Sequence, residues 1–180
     1  MGAFDNILAS VDINDGYIED QVNTQQQLNK HILDLASSIA LAEFAELHIV
    51  SVWNAPGESL IATSMSSTST DRIAEYVDDT RQHCEINFDT LIRQSINSLG
   101  DKVVKYLKLH KYLLKGEPLK EIPALAERAE VDLVVMGTVA RTGIAGLFMG
   151  NTAETILNRL DCSVIALKPP GFVSPVSLDD

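Results

Sequence analysis

Residues 132–159 read DLVVMGTVARTGIAGLFMGNTAETILNR, and this stretch decides the fold. The run 132–136 predicts a buried strand, and residues 137–150 carry Gly137, Gly143, Gly146 and Gly150 and predict a loop. A helix is expected to start near Asn151. A strand, a glycine-bearing loop and a helix start can together cradle a phosphate. The first backbone N–H groups of a helix have no partner within it, and the helix dipole favours an anion there. Glycine lets the backbone take φ > 0 and come close to a ligand. Two readings stand at this point: a working cradle, or a connection that ends in a capped helix.

Working outward, short apolar runs alternate with helical patterns. Residues 4–11 (FDNILASV) read as a first buried strand ending at Asp12. Open α/β sheets place their ligands at the carboxyl ends of strands, so Asp12 is a candidate contact. It is equally a turn aspartate that caps Asn14 or Asp15, because INDG has turn chemistry. Residues 23–41 predict a helix with Thr24 as N-cap, and Leu28, Ile32, Leu35 and Ile39 give it an apolar face. Residues 45–53 (AELHIVSVW) read as the second strand, and its lone His48 as a satisfied or surface polar residue. Residues 54–69 are rich in Ser, Thr, Gly and Pro and read as a mobile surface segment.

A long helix is expected over 70–99, stopped by Gly100 as a C′ glycine. Residues 103–114 contain the third strand, and Lys105, Lys108 and Lys111 mark it as a solvated face or an edge. A turn at 115–118 leads to a helix over 119–129, where Pro118 suits the first turn and Pro123 lies inside. After the 132–159 stretch comes a last strand over 163–167. The order β-α-β-α-β-α-β-α-β predicts three layers: an open, mostly parallel five-stranded sheet with helices on both faces. Crossovers should be right-handed. One domain is expected over residues 1–169, and 170–180 reads as an extended or disordered acidic tail.

With 180 residues, the chain is long enough to bury a real core. Its net charge of −11 argues against nucleic acid and anionic membrane as partners. It leaves a nucleotide open, since a cradle of N–H groups needs no basic surface. No run is long enough to span a membrane, and no basic-then-apolar leader opens the chain. Cys84 and Cys162 make no disulfide framework, and Cys162 reads as a small buried apolar residue. A reducing, cytoplasmic compartment is expected.

The strand order, together with MGTVARTGIAGLFMGNTAETIL and the following CSVIALKP, resembles the universal stress protein family over about residues 4–169. The likeness is greatest to the C-terminal half of tandem two-domain bacterial members. It implies a Rossmann-like, adenine nucleotide alpha hydrolase-like fold. In the family the loop pattern is Gly, two residues, Gly, nine residues, Gly, then Ser or Thr, and the loop holds the phosphates of ATP. On this sequence those positions are Gly137, Ala140, Gly150 and Asn151, followed by Thr152. Arg141 within the loop is a candidate charge support. The resemblance assigns Asp12 to the adenosine and Val52 to the strand that backs the adenine. Mg²⁺ would accompany ATP, held largely by phosphates and water. Two positions depart from the pattern. Ala140 puts a methyl where the family pattern has glycine, and an alanine in a left-handed conformation costs about 1 kcal/mol more than glycine. Asn151 replaces a hydroxyl with a bulkier amide, still a good N-cap.

The functional expectation is a regulatory domain in stress response that binds ATP through residues 137–150. The alternative is a dimerisation or interaction module that binds no nucleotide. In either case the resemblance implies a homodimer through the last strand, residues 163–167. A dedicated enzyme is not expected, beyond slow ATP hydrolysis. Residues 10–13 (SVDI) carry no Ser-Gly-Gly-type loop, and His31, His48, His83 and His110 form no closely spaced pair.

Overall fold

The computed structural model describes residues 2–14, 19–58, 70–100, 104–138 and 151–169. In chain order these form β1 (Asn6–Ser10), α1 (Glu19–Glu43), β2 (Glu46–Trp53), α2 (Thr70–Leu99), β3 (Lys108–Lys115), α3 (Pro118–Arg128), β4 (Leu133–Gly137), α4 (Asn151–Leu157) and β5 (Ser163–Leu167). The sheet order is β3-β2-β1-β4-β5. All four pairings are parallel, so the expected mostly parallel five-stranded sheet is parallel throughout its described strands.

Alternate residues of each strand pass to opposite faces. Ile7 and Ala9, with Leu47, Ile49, Leu133 and Val135, meet Leu28, Ile32 and Ala36 of α1 and Phe88 and Ile92 of α2. Leu8, Val50, Val134 and Met136 meet Ile122 and Leu125 of α3 and Ala153 and Ile156 of α4. Buried on both faces, β1 and β4 read as continuous apolar runs, as parallel strands do. Fully burying a Leu or Ile contributes about 1.5–3 kcal/mol each, so these two layers hold the domain together.

Several boundaries move. Helix α1 begins at Glu19 and not at residue 23, which puts Thr24 inside the helix instead of at its N-cap. The apolar stripe starts only at Leu28, but the Glu and Gln residues before it are good helix formers that need no stripe. β1 and β2 begin at Asn6 and Glu46, later than the expected 4 and 45. β3 starts at Lys108, because 104–107 close a turn in which Leu107 N–H donates to Val104 O at 3.1 Å. α3 runs Pro118–Arg128 with Pro118 in its first turn, and α4 ends at Leu157. Gly137 belongs to β4 and not to the loop. The bounds of α2 and β5 are those expected.

Gly100 has φ +80 and ends α2 as the expected C′ residue. Phe44 (φ 57) and Glu130 (φ 48) hold the same left-handed position after α1 and α3 without being glycine. Each is followed by the backbone bond of a Schellman turn: Ala45 N–H to Ala40 O and Val131 N–H to Ala126 O, both 2.9 Å. As the lysines suggested, β3 is an edge. Lys108 reaches Glu46 at 3.5 Å, Lys111 reaches Asp89 at 2.6 Å and Lys115 reaches Glu58 at 2.8 Å. Such exposed pairs contribute little stability, but they give the edge a charged border. Cys84 is buried, while Cys162 is only half-buried, short of the burial expected for it.

Candidate functional site at the carboxyl edge of the sheet

In the order β3-β2-β1-β4-β5, connections run one way from β1 to β2 and β3, and the other way to β4 and β5. The switch point lies between β1 and β4, where a parallel sheet opens a crevice at its carboxyl ends. Asp12 follows β1, Val52 is the penultimate residue of β2 and Gly137 closes β4, so three of the candidate residues stand along this one edge. Thr152 lies exposed at the start of α4. Ala140, Arg141 and Gly150 fall outside the described residues, as do Gly143, Gly146, Asp15, 59–69 and the tail 170–180. For Asn151, only the backbone position at the start of α4 is described.

A polar network builds the β1 end of the crevice. Val11 N–H donates to Val50 O at 3.0 Å, extending the β1–β2 ladder by one residue. At Asp12 the chain leaves the sheet and the buried Asn29 of α1 takes over as its hydrogen-bond partner. Asn29 Nδ2 donates to Asp12 O at 2.6 Å, and Asp12 N–H donates to Asn29 Oδ1 at 3.1 Å. Gln25 Nε2 steadies the same Oδ1 at 3.1 Å. One amide thereby supplies both bonds that a neighbouring strand would have made.

The Asp12 side chain forms the turn that its sequence allowed. Its Oδ1 accepts from Asn14 N–H at 3.0 Å, an Asx turn, and from Asn14 Nδ2 at 2.7 Å. The same Nδ2 lies 3.3 Å from Val52 O. Asn14, which sequence reasoning treated only as part of a turn, thus ties Asp12 to Val52. Both hydrogens of its amide are used on these two acceptors.

Gly137 is glycine for a reason that lies within the fold. A Cβ built there would stand 2.7 Å from Leu28 Cδ2 and 3.3 Å from Leu28 Cγ. α1 therefore packs directly on the β4 backbone. Next in the chain, the buried Thr138 donates its N–H to Leu167 O at 3.0 Å, which fastens the exit of β4 to β5.

Sequence spacing also missed a pair of histidines. β2 and β3 align His48 with His110, and their rings stack at 4.8 Å between centroids. His48 is buried, as a satisfied polar residue should be, with Nδ1 3.2 Å from Tyr112 Oη and Nε2 3.4 Å from Asn6 Oδ1. The only available signal was even spacing within two strands whose register the sequence does not state. Among the described residues no three His, Cys, Asp or Glu side chains are grouped to hold a metal ion, and no helix is long and apolar enough to cross a membrane.

The model of the universal stress protein family matches residues 22–168. Universal stress protein E of Escherichia coli K12 is 48% identical over 66 residues, which are 37% of this chain and 21% of that protein. A putative universal stress protein of Pseudomonas aeruginosa UCBPP-PA14 superposes with a TM-score of 0.57 at 30% identity, covering 92% of this chain and 48% of that one. A universal stress protein crystallised in complex with cAMP has the same fold, with a TM-score of 0.51 at 18% identity over 91% of this chain and 96% of that one. The chain thus spans about half of the Pseudomonas structure, and its match to the E. coli protein is about a fifth of that protein's length. The architecture is the adenine nucleotide alpha hydrolase-like one that the resemblance implied. With five parallel strands in this order and a family match that runs from the first turns of α1 through β5, the chain belongs to the universal stress protein family.

Proposed function

We propose that this chain is a cytoplasmic regulatory domain of stress response that binds ATP with Mg²⁺ at the carboxyl edge of β1 and β4. Asp12 takes the adenosine and Val52 backs the base. Gly137, Ala140, Arg141, Gly150, Asn151 and Thr152 form the phosphate end. The observation that carries this reading is that Asp12 and Val52, 40 positions apart, meet at the carboxyl ends of β1 and β2, beside the switch point, through one bridging side chain, Asn14. A carboxylate oxygen and a backbone carbonyl converge there, two acceptors suited to the hydroxyl and amine donors of a nucleoside. The neighbour solved with cAMP supports a nucleotide as the class of ligand. Binding alone shifts a conformational equilibrium by its differential affinity, so regulation needs no catalytic base. Isothermal titration of ATP·Mg into the whole chain tests this; absence of heat at millimolar ligand refutes it.

A second reading, an interaction module without nucleotide, is favoured by two observations. Asn14 already satisfies the two acceptors, and the glycine at 137 is required by Leu28 with no ligand invoked. In that reading β5, paired only to β4 among the described strands, takes a second copy or a companion domain along Ser163–Leu167. Sedimentation tests the dimer: a monomer at micromolar concentration removes it.

A further inference from the structure

The stacked histidines lie well away from the crevice, on the α3 face of β2 and β3. Leu8 pairs with His48 and His48 with His110, so one row of the sheet runs from a central apolar strand to a charged edge. The neighbours settle the state of His48. Asn6 Nδ2 donates to Glu130 O at 3.3 Å, which leaves Asn6 Oδ1 as the acceptor facing His48 Nε2. Nε2 therefore carries the proton, and Nδ1 accepts from the Tyr112 hydroxyl. A neutral ring satisfies both contacts, joining β1, β2 and β3 through one side chain. On its other side His110 Nε2 lies 3.0 Å from Glu46 Oε2, an ion pair once that ring is protonated.

We propose that the His48–His110 stack is an acid-operated fastener of edge strand β3. With His48 neutral, the stack ties β3 to β2 and β1. With both rings charged, a buried cation faces a second cation at 4.8 Å, and the seam opens from the edge inward. The charged groups around His48 are few. β2 supplies Glu46, and β3 supplies Lys108 and His110 beside the neutral Tyr112. β1 supplies only the neutral Asn6. α3 turns Ile122, Leu125 and Ala126 toward this face. The Asp132 carboxylate before β4 accepts the backbone N–H groups of Asp5 and Asn6 at 2.8 and 2.9 Å. Among the described residues Glu46 is thus the anion paired with His110, and Lys108 draws on it as well.

Burial first, and the neighbouring His110 second, hold His48 below the ordinary histidine value, with Glu46 partly opposing. The folded state then takes up this proton less readily than the unfolded chain. The stabilisation is complete above about pH 6.5, the unfolded value, and is lost as pH falls from there toward the folded value. One proton of difference changes the opening equilibrium by up to about tenfold per pH unit in that window. Glu46 is held below its usual value chiefly by its hydrogen bond to His110, so its contribution is lost only at lower pH, in the carboxylate range.

Hydrogen exchange of the whole chain, corrected for intrinsic rates, tests the proposal. Between about pH 7.5 and about pH 5.5, protection of the β3 amides should fall by up to about tenfold relative to the β4 amides. His48→Gln should flatten that slope. Should His48→Gln fail to fold, His110→Gln, whose parent side chain is half-exposed, decides: a shallower slope supports the fastener. A β3 slope equal to that of β4 in the wild-type chain overturns it, as does an unchanged slope in His110→Gln.

Discussion

Replacing Gly137 with alanine separates packing from ligand binding at the strand-to-loop junction. The new methyl would lie 2.7 Å from Leu28 Cδ2, 3.3 Å from Leu28 Cγ and 3.6 Å from Ile32 Cδ1. Comfortable carbon contacts lie near 3.5–4.0 Å, so about 1 Å of separation must be found. Leu28 and Ile32 are 2% and 1% exposed, so neither can swing outward without leaving the core. Overpacking of this kind costs about 1–3 kcal/mol. Gly137 takes no left-handed φ, so alanine returns about 0.4–1 kcal/mol by restricting the unfolded chain. The net expectation is a loss of about 1–2 kcal/mol, or about 2–8 °C in Tm for a domain of this size. Thermal and urea denaturation followed by circular dichroism read it directly. Leu28→Ala alone should cost about 2–5 kcal/mol. In the double variant the two methyl changes occupy one space, so the total should fall short of the sum by about 1 kcal/mol or more. Strict additivity, or a Gly137→Ala chain as stable as the parent, would show that α1 does not rest on this backbone.

The other expectations are smaller in scope. Phe44→Gly should stabilise the chain by about 1 kcal/mol, since Phe44 holds a left-handed φ with its ring 82% exposed; an unchanged or lower Tm contradicts this. Asn14→Ala removes the Nδ2 bonds to Asp12 Oδ1 and Val52 O while keeping the N–H bond to Oδ1, so any nucleotide that uses these acceptors should bind about fivefold tighter, on the scale of one hydrogen bond. Weaker binding in titration would instead make Asn14 a ligand contact. Burial, with Asp132 and Asp161 assisting, raises the Cys162 thiol above its ordinary value. Its alkylation near neutral pH should therefore run slower than that of a free thiol; a rate equal to glutathione's refutes the burial argument.

Periodicity alone sufficed for the layers and the strand count, because β1, β4 and the long helix α2 carry patterns that no other arrangement buries. It was weakest where residues far apart in the chain meet. Gly137 looked like a loop glycine, since its reason, Leu28, lies 109 positions away. The histidine stack needed the β2–β3 register, which two strands separated by α2 do not reveal. Asp12 was legible as a turn former because its partner, Asn14, is local. Its second partner, Asn29, was not, since a polar residue in a helix gives no sign of which backbone it will meet. Thr24 was misplaced because an N-cap and a mid-helix threonine differ only in context.

The central strand carries a consequence for biosynthesis. β1 is translated before the other four strands, yet one of its two neighbours, β4, follows only after α1, β2, α2, β3 and α3. The closing bonds join positions 126 apart: Asp132 N–H to Asn6 O at 2.9 Å, and Asn6 N–H to the Asp132 carboxylate, also 2.9 Å. At about 5–20 residues per second, the ribosome leaves one flank of β1 open for about 6–25 s. During that interval ILA, fully apolar and destined for complete burial, offers an unpaired ladder to any other nascent strand. A chain stopped before residue 133 should therefore be a chaperone client, and its release should coincide with the arrival of β4.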